Sequence, residues 1–209
     1  MLPTMTLTFR RATDDESNLL ADMVFGTPEQ ETSRVAAKLF GVEDVESLRD
    51  LFRLTWREAD NWKTSELAML DGVPVGVLQT GSSSLRVTPR VVLAALRVLG
   101  VRRTLRLPGR LRIRGHVTPP KPEGAYLISE IHMVPQFRGH GIGGALLAHA
   151  EEDARRGGAA VMALTTLTTN PARRFYERFG FEVAAEATDP EFERLTGAAG
   201  NVLYVKRLG

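Results

Sequence analysis

The spacing of apolar positions changes several times along this chain and predicts strands alternating with helices. Leu7 and Phe9 alternate with polar residues, which is typical of a half-buried strand. Apolar residues at helical spacing follow, and Asp71-Gly72 is a strong signal for a two-residue hairpin between two later strands. In the first part of the chain we therefore predict a strand at 6–11, helices at 14–25, 30–39 and 45–54, and strands at 65–70 and 73–79.

The second half of the chain is centred on the glycine-rich stretch V-P-Q-F-R-G-H-G-I-G-G, at 134–144. An apolar run, Ala125–Val134, predicts a strand leading into it, and Leu146, Leu147, Ala150 and Ala154 give the following segment a helical apolar stripe. Alternation of strands with helices favours an α/β or α+β layered sheet. The remaining predicted elements are a strand at 159–165, a helix opening at Asn170-Pro171, and strands at 181–187 and 201–207.

Residues 82–124 differ from the rest of the chain in charge and pattern. Thr88 as N-cap and Pro89 at the first helical position predict a helix over 90–99 that ends at Gly100. Arginine and apolar residues then alternate up to Arg114, which predicts a strand or an extended arm, and prolines mark the end of the segment as a surface linker. Residues 72–122 contain ten basic residues and no acidic residue.

Charge elsewhere suggests what the basic segment contacts. Residues 1–71 contain 8 basic and 14 acidic residues, so we expect the arginines of the basic segment to pair mainly with this acidic third of the chain. Binding to nucleic acid, a membrane face, an acidic acceptor or a ligand phosphate is the alternative. Residues 72–122 contain no aromatic residue, so base stacking is unsupported and a nucleic-acid partner ranks last.

Composition excludes several classes of site. The chain has 209 residues and no cysteine, which excludes disulfides, thiolate nucleophiles and zinc–thiolate sites. The four histidines show no metal-ligand spacing, so no metal is expected. We find neither a signal-peptide pattern nor an apolar run long enough for a membrane span, and we expect a cytoplasmic protein.

The glycine-rich stretch predicts an anion site. A glycine-rich turn that opens a helix exposes backbone N–H groups at the helix N-terminus, and Arg138 adds a positive charge. A phosphate or pyrophosphate is therefore the expected ligand. The spacing fits neither the dinucleotide-binding fingerprint nor the Walker A loop.

Two motifs resemble those of the GNAT superfamily of N-acetyltransferases. Arg138–Gly143, which reads R-G-H-G-I-G, resembles the family's coenzyme A pyrophosphate loop. The stretch N-P-A-R-R-F-Y-E-R-F-G-F, at 170–181, resembles its second signature and follows at the family's usual distance. The resemblance covers residues 6–79 loosely and 125–207 well, but not 82–124. It implies one acetyltransferase-like domain over 1–209, with a mixed, splayed central sheet flanked by helices and an Arg-rich insertion at about 82–124, between the third and fourth strands.

The resemblance also implies the cofactor, acetyl-CoA, and the residues that bind it. Met133 and Val134 would offer backbone groups to the pantetheine arm, and a backbone N–H near Val134 would polarise the thioester carbonyl. Asn170 would contact the pantetheine or the acetyl region, and Phe175 would pack beside the cofactor. The pyrophosphate would be held by the loop residues Arg138, Gly139, His140, Gly141, Ile142, Gly143 and Gly144.

Direct acetyl transfer to a primary amine requires a base for the amine and a donor for the departing thiolate. Tyr176 is the candidate donor. Glu130 is the candidate base, and strand alternation places His132, the second candidate, on the same face. The acceptor would be a small-molecule or peptide amine. Trp56 and Trp62 either line the acceptor site or belong to the core, and the core is the stronger interpretation.

Two other readings remain open at this point. The chain could be a non-catalytic acyl-CoA-binding sensor or interaction domain, which would bind coenzyme A without turnover. A nucleic-acid-binding protein acting through the Arg-rich segment is the last of the alternatives. The sequence also leaves open whether the protein is a homodimer.

Overall fold

A computed structural model describes residues 6–27, 30–82 and 86–209. Seven strands form one mixed sheet in the order β1-β2-β3-β4-β5-β7-β6. The strands are β1 (Leu7–Arg11), β2 (Ser65–Leu70), β3 (Val73–Thr80), β4 (Tyr126–Met133), β5 (Val161–Leu167), β6 (Glu182–Thr188) and β7 (Gly200–Arg207). The helices are α1 (Ser17–Phe25), α2 (Glu31–Phe40), α3 (Arg49–Glu58), α4 (Pro89–Thr104), α5 (Leu107–His116), α6 (Ile142–Arg156), α7 (Arg173–Arg178) and α8 (Pro190–Thr196).

Strands β1, β2, β3 and β4 pair antiparallel with one another in that order. The hairpin predicted between β2 and β3 is confirmed, since Asp71 (φ 48°) and Gly72 (φ 81°) both adopt the positive φ that a type I′ turn requires. The strand feeding the glycine-rich loop, β4, therefore lies in the middle of the sheet, with β3 along one edge.

The sheet splits next to the loop. Strands β4 and β5 are parallel and pair over only three positions, ending at Ile128↔Leu164. Beyond that pair β4 continues to Met133 and β5 to Leu167. The predicted mixed and splayed sheet is confirmed, and the split leaves part of the β4 edge without a neighbouring strand.

Helices cover both faces of the sheet. On one face α6 buries the four predicted stripe residues, Leu146, Leu147, Ala150 and Ala154. On the other face α1 and α3 pack over β2 and β3, and Trp56 is buried there against Leu20 and Val77. Trp56 is 4% exposed and so belongs to the core, while Trp62 packs at the edge of the same cluster.

The strand or extended arm predicted after Gly100 is wrong, because α5 is a helix. As a helix, the segment Leu107–His116 satisfies its backbone groups locally and needs no neighbouring strand. Leu107 and Ile113 instead attach α5 to the clusters around α2 and α8. The predicted end at Gly100 is a kink (φ 74°, ψ 165°), after which the chain turns helical again up to Thr104.

One further prediction near the end of the chain needs correction, and one helix there is not predicted. The helix expected to open at Asn170-Pro171 begins at Arg173, because Asn170 Oδ1 accepts a hydrogen bond from Ala172 N (2.8 Å) within a preceding turn. Between β6 and β7, where the sequence analysis predicts no element, the chain forms a helix, α8. Asp189 caps it by accepting from the amides of Glu191 and Phe192, a signal that the Asp189-Pro190 sequence already carried.

In the described part of the chain, no helix has both the length and the apolar character needed to cross a membrane.

Candidate active site

The glycine-rich loop presents a row of unused amides. A 3-10 turn (Pro135–Phe137) leads out of β4, and Gly139 (φ 80°) and Gly141 (φ 78°) then turn the chain into α6. Among the described residues, none of the amides from Gly139 to Gly144 donates to a backbone carbonyl or a side-chain acceptor, and the first bond of α6 runs from Ala145 N to Gly141 O (3.1 Å). Unpaired N–H groups at a helix N-terminus are suited to binding a phosphate group.

The four glycines of the loop meet different structural requirements. A β-carbon at Gly139 or Gly141 would meet nothing within 4 Å, so these two serve the positive φ and leave open space beside the chain. At Gly143 a β-carbon would lie 3.3 Å from Phe175 Cζ, and at Gly144 it would lie 2.8 Å from Phe179 Cζ. The second pair therefore lets the start of α6 pack closely against aromatic side chains around α7.

The β4 edge corrects the predicted backbone donor. Val134 N donates to Val75 O on β3 at 3.0 Å, so its N–H is not free to polarise a ligand carbonyl. Backbone groups alternate between the two edges of a strand, and Met133 therefore points its N–H and C=O toward the edge facing β5. Among the described residues, no strand pairs with that edge beyond Ile128, which makes Met133, rather than Val134, the residue able to bond an extended ligand.

Glu130 and His132 form a pair on one face of β4, as strand alternation predicts. His132 Nε2 lies 2.9 Å from Glu130 Oε2, with both side chains partly buried. Across β3 they stand opposite Gln79 and Val77, and Val77 belongs to the cluster beneath α1 and α3. The pair therefore lies on the α1 face of the sheet, beyond the last β4–β5 pairing.

Tyr176 lies on α7, just after β5, so Tyr176 and Glu130 flank the split between the strands. Burial, and to a lesser degree the charge of Glu130, raise the pKa of Tyr176 to about 12. In the described chain its hydroxyl has no hydrogen-bond partner, yet it is not among the fully enclosed polar atoms. A buried, neutral phenol with an unused hydroxyl is suited to donating a hydrogen bond to a ligand.

Asn170 and Phe175 support the local structure. Asn170 Nδ2 donates to Thr166 Oγ1 (2.6 Å) while its Oδ1 holds the Ala172 amide, so the side chain fixes the turn between β5 and α7. Phe175 packs against Phe179 (ring centroids 4.9 Å apart) and lies beside Gly143. Of the predicted site residues, these two therefore have structural contacts that account for their position.

Gln79 is a residue that the sequence did not single out. It is 1% exposed and stands opposite Glu130 in the β3–β4 register. Its Nε2 lies 3.4 Å from Thr64 Oγ1, a long hydrogen bond, and its Oε1 has no partner among the described residues. A 45-residue connection separates β3 from β4. The register between the two strands identifies Gln79, and no local sequence pattern encodes that register.

A second polar cluster lies between β2 and α6. His149 Nε2 is 2.6 Å from Glu66 Oε2 and 3.6 Å from Asp153 Oδ2, and its ring stacks on Phe9. The three side chains have a geometry that could hold a metal ion. Arg11 and Arg156, however, bind the other oxygens of the two carboxylates, and ion pairing accounts for the cluster.

Comparison with known proteins identifies the family. The sequence profile of the acetyltransferase (GNAT) family matches residues 36–181. The chain belongs to the GNAT acetyltransferase family. The resemblance inferred from the glycine-rich loop and the 170–181 motif is thereby confirmed, and the chain is an acetyltransferase by family.

Individual relatives share the fold or part of the sequence. An aminoalkylphosphonate N-acetyltransferase of Salmonella typhimurium is 45% identical over 56 residues, which is 26% of this chain and 36% of that protein. The PaiA N-acetyltransferase of Thermoplasma acidophilum in complex with coenzyme A superposes with a TM-score of 0.57 at 13% identity, covering 98% of this chain and 100% of that one. A polyamine N-acetyltransferase of Drosophila melanogaster also gives 0.57, at 15% identity, covering 97% and 100%. At these identities the structures show the GNAT fold alone.

Proposed function

We propose that this GNAT protein is an N-acetyltransferase that transfers the acetyl group of acetyl-CoA directly to a primary amine. The observation that carries the proposal is the row of unpaired amides from Gly139 to Gly144 beside the free edge of β4. We also propose that residues 1–209 form one acetyltransferase-like domain, because β1 and β7, from the two ends of the chain, share one sheet.

Coenzyme A fits this arrangement in two places. The amides at the start of α6, together with the charge of Arg138, suit a pyrophosphate. The Met133 backbone at the free β4 edge suits the amide groups of a pantetheine arm, which would add to the sheet like a strand. When bound, acetyl-CoA supplies the activated acetyl group. Residues His140 and Ile142 would contribute backbone amides, and Phe175 and Asn170 would support the adjoining wall.

The reacting amine must lose a proton as its nitrogen bonds to the acetyl carbon and the carbon–sulfur bond breaks. An alkylammonium has a pKa of about 10.4, so removing its proton at pH 7 costs about 4–5 kcal/mol. Glu130 is the proposed acceptor of that proton, with His132, hydrogen-bonded to it at 2.9 Å, as an alternative site for the proton.

Tyr176 is the proposed partner of the sulfur. With a pKa of about 12 it stays protonated over the neutral range. A thiol has a pKa of about 8.5, which makes full proton transfer from Tyr176 to a thiolate unfavourable. We therefore assign Tyr176 the role of a neutral hydrogen-bond donor that stabilises charge on the departing sulfur.

The test is release of free thiol from acetyl-CoA in the presence of a panel of amines. The panel should include aminoalkylphosphonates and polyamines, the classes named by the relatives, as well as amino acids and peptides. Turnover with at least one primary amine is expected. Stabilisation of the protein by coenzyme A without turnover on any acceptor would instead favour the non-catalytic acyl-CoA-binding function.

Two substitutions test the assigned roles. Glu130→Gln should lower kcat/KM by about two orders of magnitude or more, the usual contribution of a general base, and Tyr176→Phe by about tenfold or more. Glu182→Gln, an exposed acid on β6, and Tyr126→Phe, a tyrosine at the other end of β4, are the matched controls. Unchanged activity in both Glu130→Gln and Tyr176→Phe would remove these residues from the mechanism.

A further inference from the structure

The outer side of α4 and α5 carries a surface that the proposed acetyl transfer does not use. Val91, Ala95 and Leu99 are buried. Ala95 and Leu99 attach α4 to the cluster formed with α2 and α3, so the opposite side of the helix faces outward. We call the exposed side chains of residues 92–114 the α4–α5 surface. It combines exposed apolar side chains with a high density of arginines.

The first feature is exposed apolar side chains. Val101 is 64% exposed and Leu105 76% exposed, and both follow the kink at Gly100. Val92 and Leu93 on α4 are exposed as well. These side chains are divided along the chain: Val92 and Leu93 lie before the kink, and Arg102 and Arg103 stand between Val101 and Leu105. They are therefore poorly suited to the packed apolar core of a protein–protein interface.

The second feature is a high density of arginines without acidic partners. The expected pairing with the acidic third of the chain is found at one end, where Arg86 and Arg90 lie 3.7 and 3.8 Å from Asp60 and Glu58. Arg110 binds the carbonyl oxygens of Lys38 and Leu39. Within the described ranges, no carboxylate lies within salt-bridge distance of the remaining arginines, at 97, 102, 103, 106, 112 and 114.

Several of these arginines surround a cleft. Arg102, Arg103, Arg106 and Arg110 line a cavity of about 470 Å³ around Gly100. Guanidinium groups recognise phosphate oxygens through paired N–H donors. The cleft is thus suited to phosphate groups, and the exposed Val101 also lines it.

We propose that the α4–α5 surface binds an anionic lipid membrane surface. Arginines attracted to lipid phosphates, together with exposed aliphatic side chains that can enter the acyl boundary, are features of peripheral membrane contacts. Nucleic acid fits less well, since residues 72–122 contain no aromatic residue and phosphate binding gives the apolar side chains no role. A second copy also fits less well, because a symmetric interface would bring two basic surfaces together.

The test is co-sedimentation of the full chain with vesicles. Binding is expected to vesicles of phosphatidylcholine mixed with phosphatidylglycerol, but not to pure phosphatidylcholine, and it should weaken as salt is added. Each basic residue near an anionic surface contributes about fivefold to binding, so Arg102→Gln with Arg103→Gln should weaken it roughly thirtyfold. Val101→Ser with Leu105→Ser should weaken the binding that persists at high salt.

Matched controls separate this surface from general charge and hydrophobicity. Arg194→Gln with Arg207→Gln removes the same charge elsewhere, and Val183→Ser removes an exposed apolar side chain on β6. Both controls should bind like the unsubstituted protein. The proposal is overturned by absence of binding to the anionic vesicles, by equal binding to neutral vesicles, or by equal losses in controls and test variants. Binding to duplex DNA but not to vesicles would overturn it too. None of these outcomes depends on acetyl transfer.

Discussion

Gly139 and Gly141 differ from Gly143 and Gly144 in what surrounds them, although all four belong to one short motif. The first two have positive φ and open space beside them. The second two have ordinary helical positions and lie against Phe175 and Phe179. The first pair therefore shapes the loop and leaves open space beside it, and the second lets the start of α6 pack against aromatic side chains. A glycine-rich motif can thus combine two physical requirements, and substitutions should separate them.

The largest effect on stability is expected at Gly144. Alanine would place a β-carbon 2.8 Å from Phe179 Cζ, and such overpacking costs about 1–3 kcal/mol of unfolding free energy. Chemical denaturation measures this change. Phe179→Leu combined with Gly144→Ala should recover part of the loss, because the shorter side chain removes the contact. Additive losses in the double variant would contradict the packing role.

Substitution of Gly141 should affect the affinity for coenzyme A more than it affects the free energy of unfolding. A β-carbon at φ 78° costs about 1–2 kcal/mol, so Gly141→Ala should shift the loop and weaken coenzyme A binding about tenfold, measured by calorimetry. Asparagine tolerates the left-handed region better. Gly141→Asn should therefore unfold like the original protein while still losing affinity, because its side chain enters the open space. Unchanged affinity in Gly141→Asn would place the phosphates elsewhere.

Arg138 precedes the two glycines that have open space beside them. Its substitution should therefore change coenzyme A binding without changing the stability of the protein. Arg138→Gln removes a charge-assisted contact, so coenzyme A affinity should fall by about 1.5 kcal/mol at low salt and less at high salt. The midpoint of thermal unfolding should stay the same. Arg155→Gln, which removes an arginine paired with Glu151 at the far end of α6, is the control. An equal effect in both variants would indicate general electrostatic attraction.

The smallest effect is expected at Gly143. Its β-carbon would lie 3.3 Å from Phe175 Cζ, a contact that a small ring movement relieves, and alanine favours a helix over glycine by up to about 1 kcal/mol. The two contributions nearly cancel, so Gly143→Ala should unfold within about 0.5 kcal/mol of the original protein. A loss as large as that of Gly144→Ala would show that the two packed glycines are equally constrained.

Much of the structure around the glycine-rich loop could be predicted from short sequence patterns. The strand, glycine-rich turn and helix around 134–144 appear as predicted, since turn residues and helical apolar spacing act over a few neighbouring residues. The shared face of Glu130 and His132 follows from strand alternation alone. Two helices differ from the sequence pattern for different reasons. Residues in α5 alternate as in a strand although the segment is helical, and α8 is capped by Asp189 in a segment for which the sequence analysis predicts no element.

The sequence by itself determined the family motifs, the order of most elements and the uneven distribution of charge, because each depends on residue type and short spacing. The tertiary structure decided which partners these residues meet. It directs the Val134 amide to Val75, places Gln79 opposite Glu130, and sets Gly144 against Phe179. These contacts join residues far apart in the chain, and they depend on strand register and helix packing that no local pattern specifies.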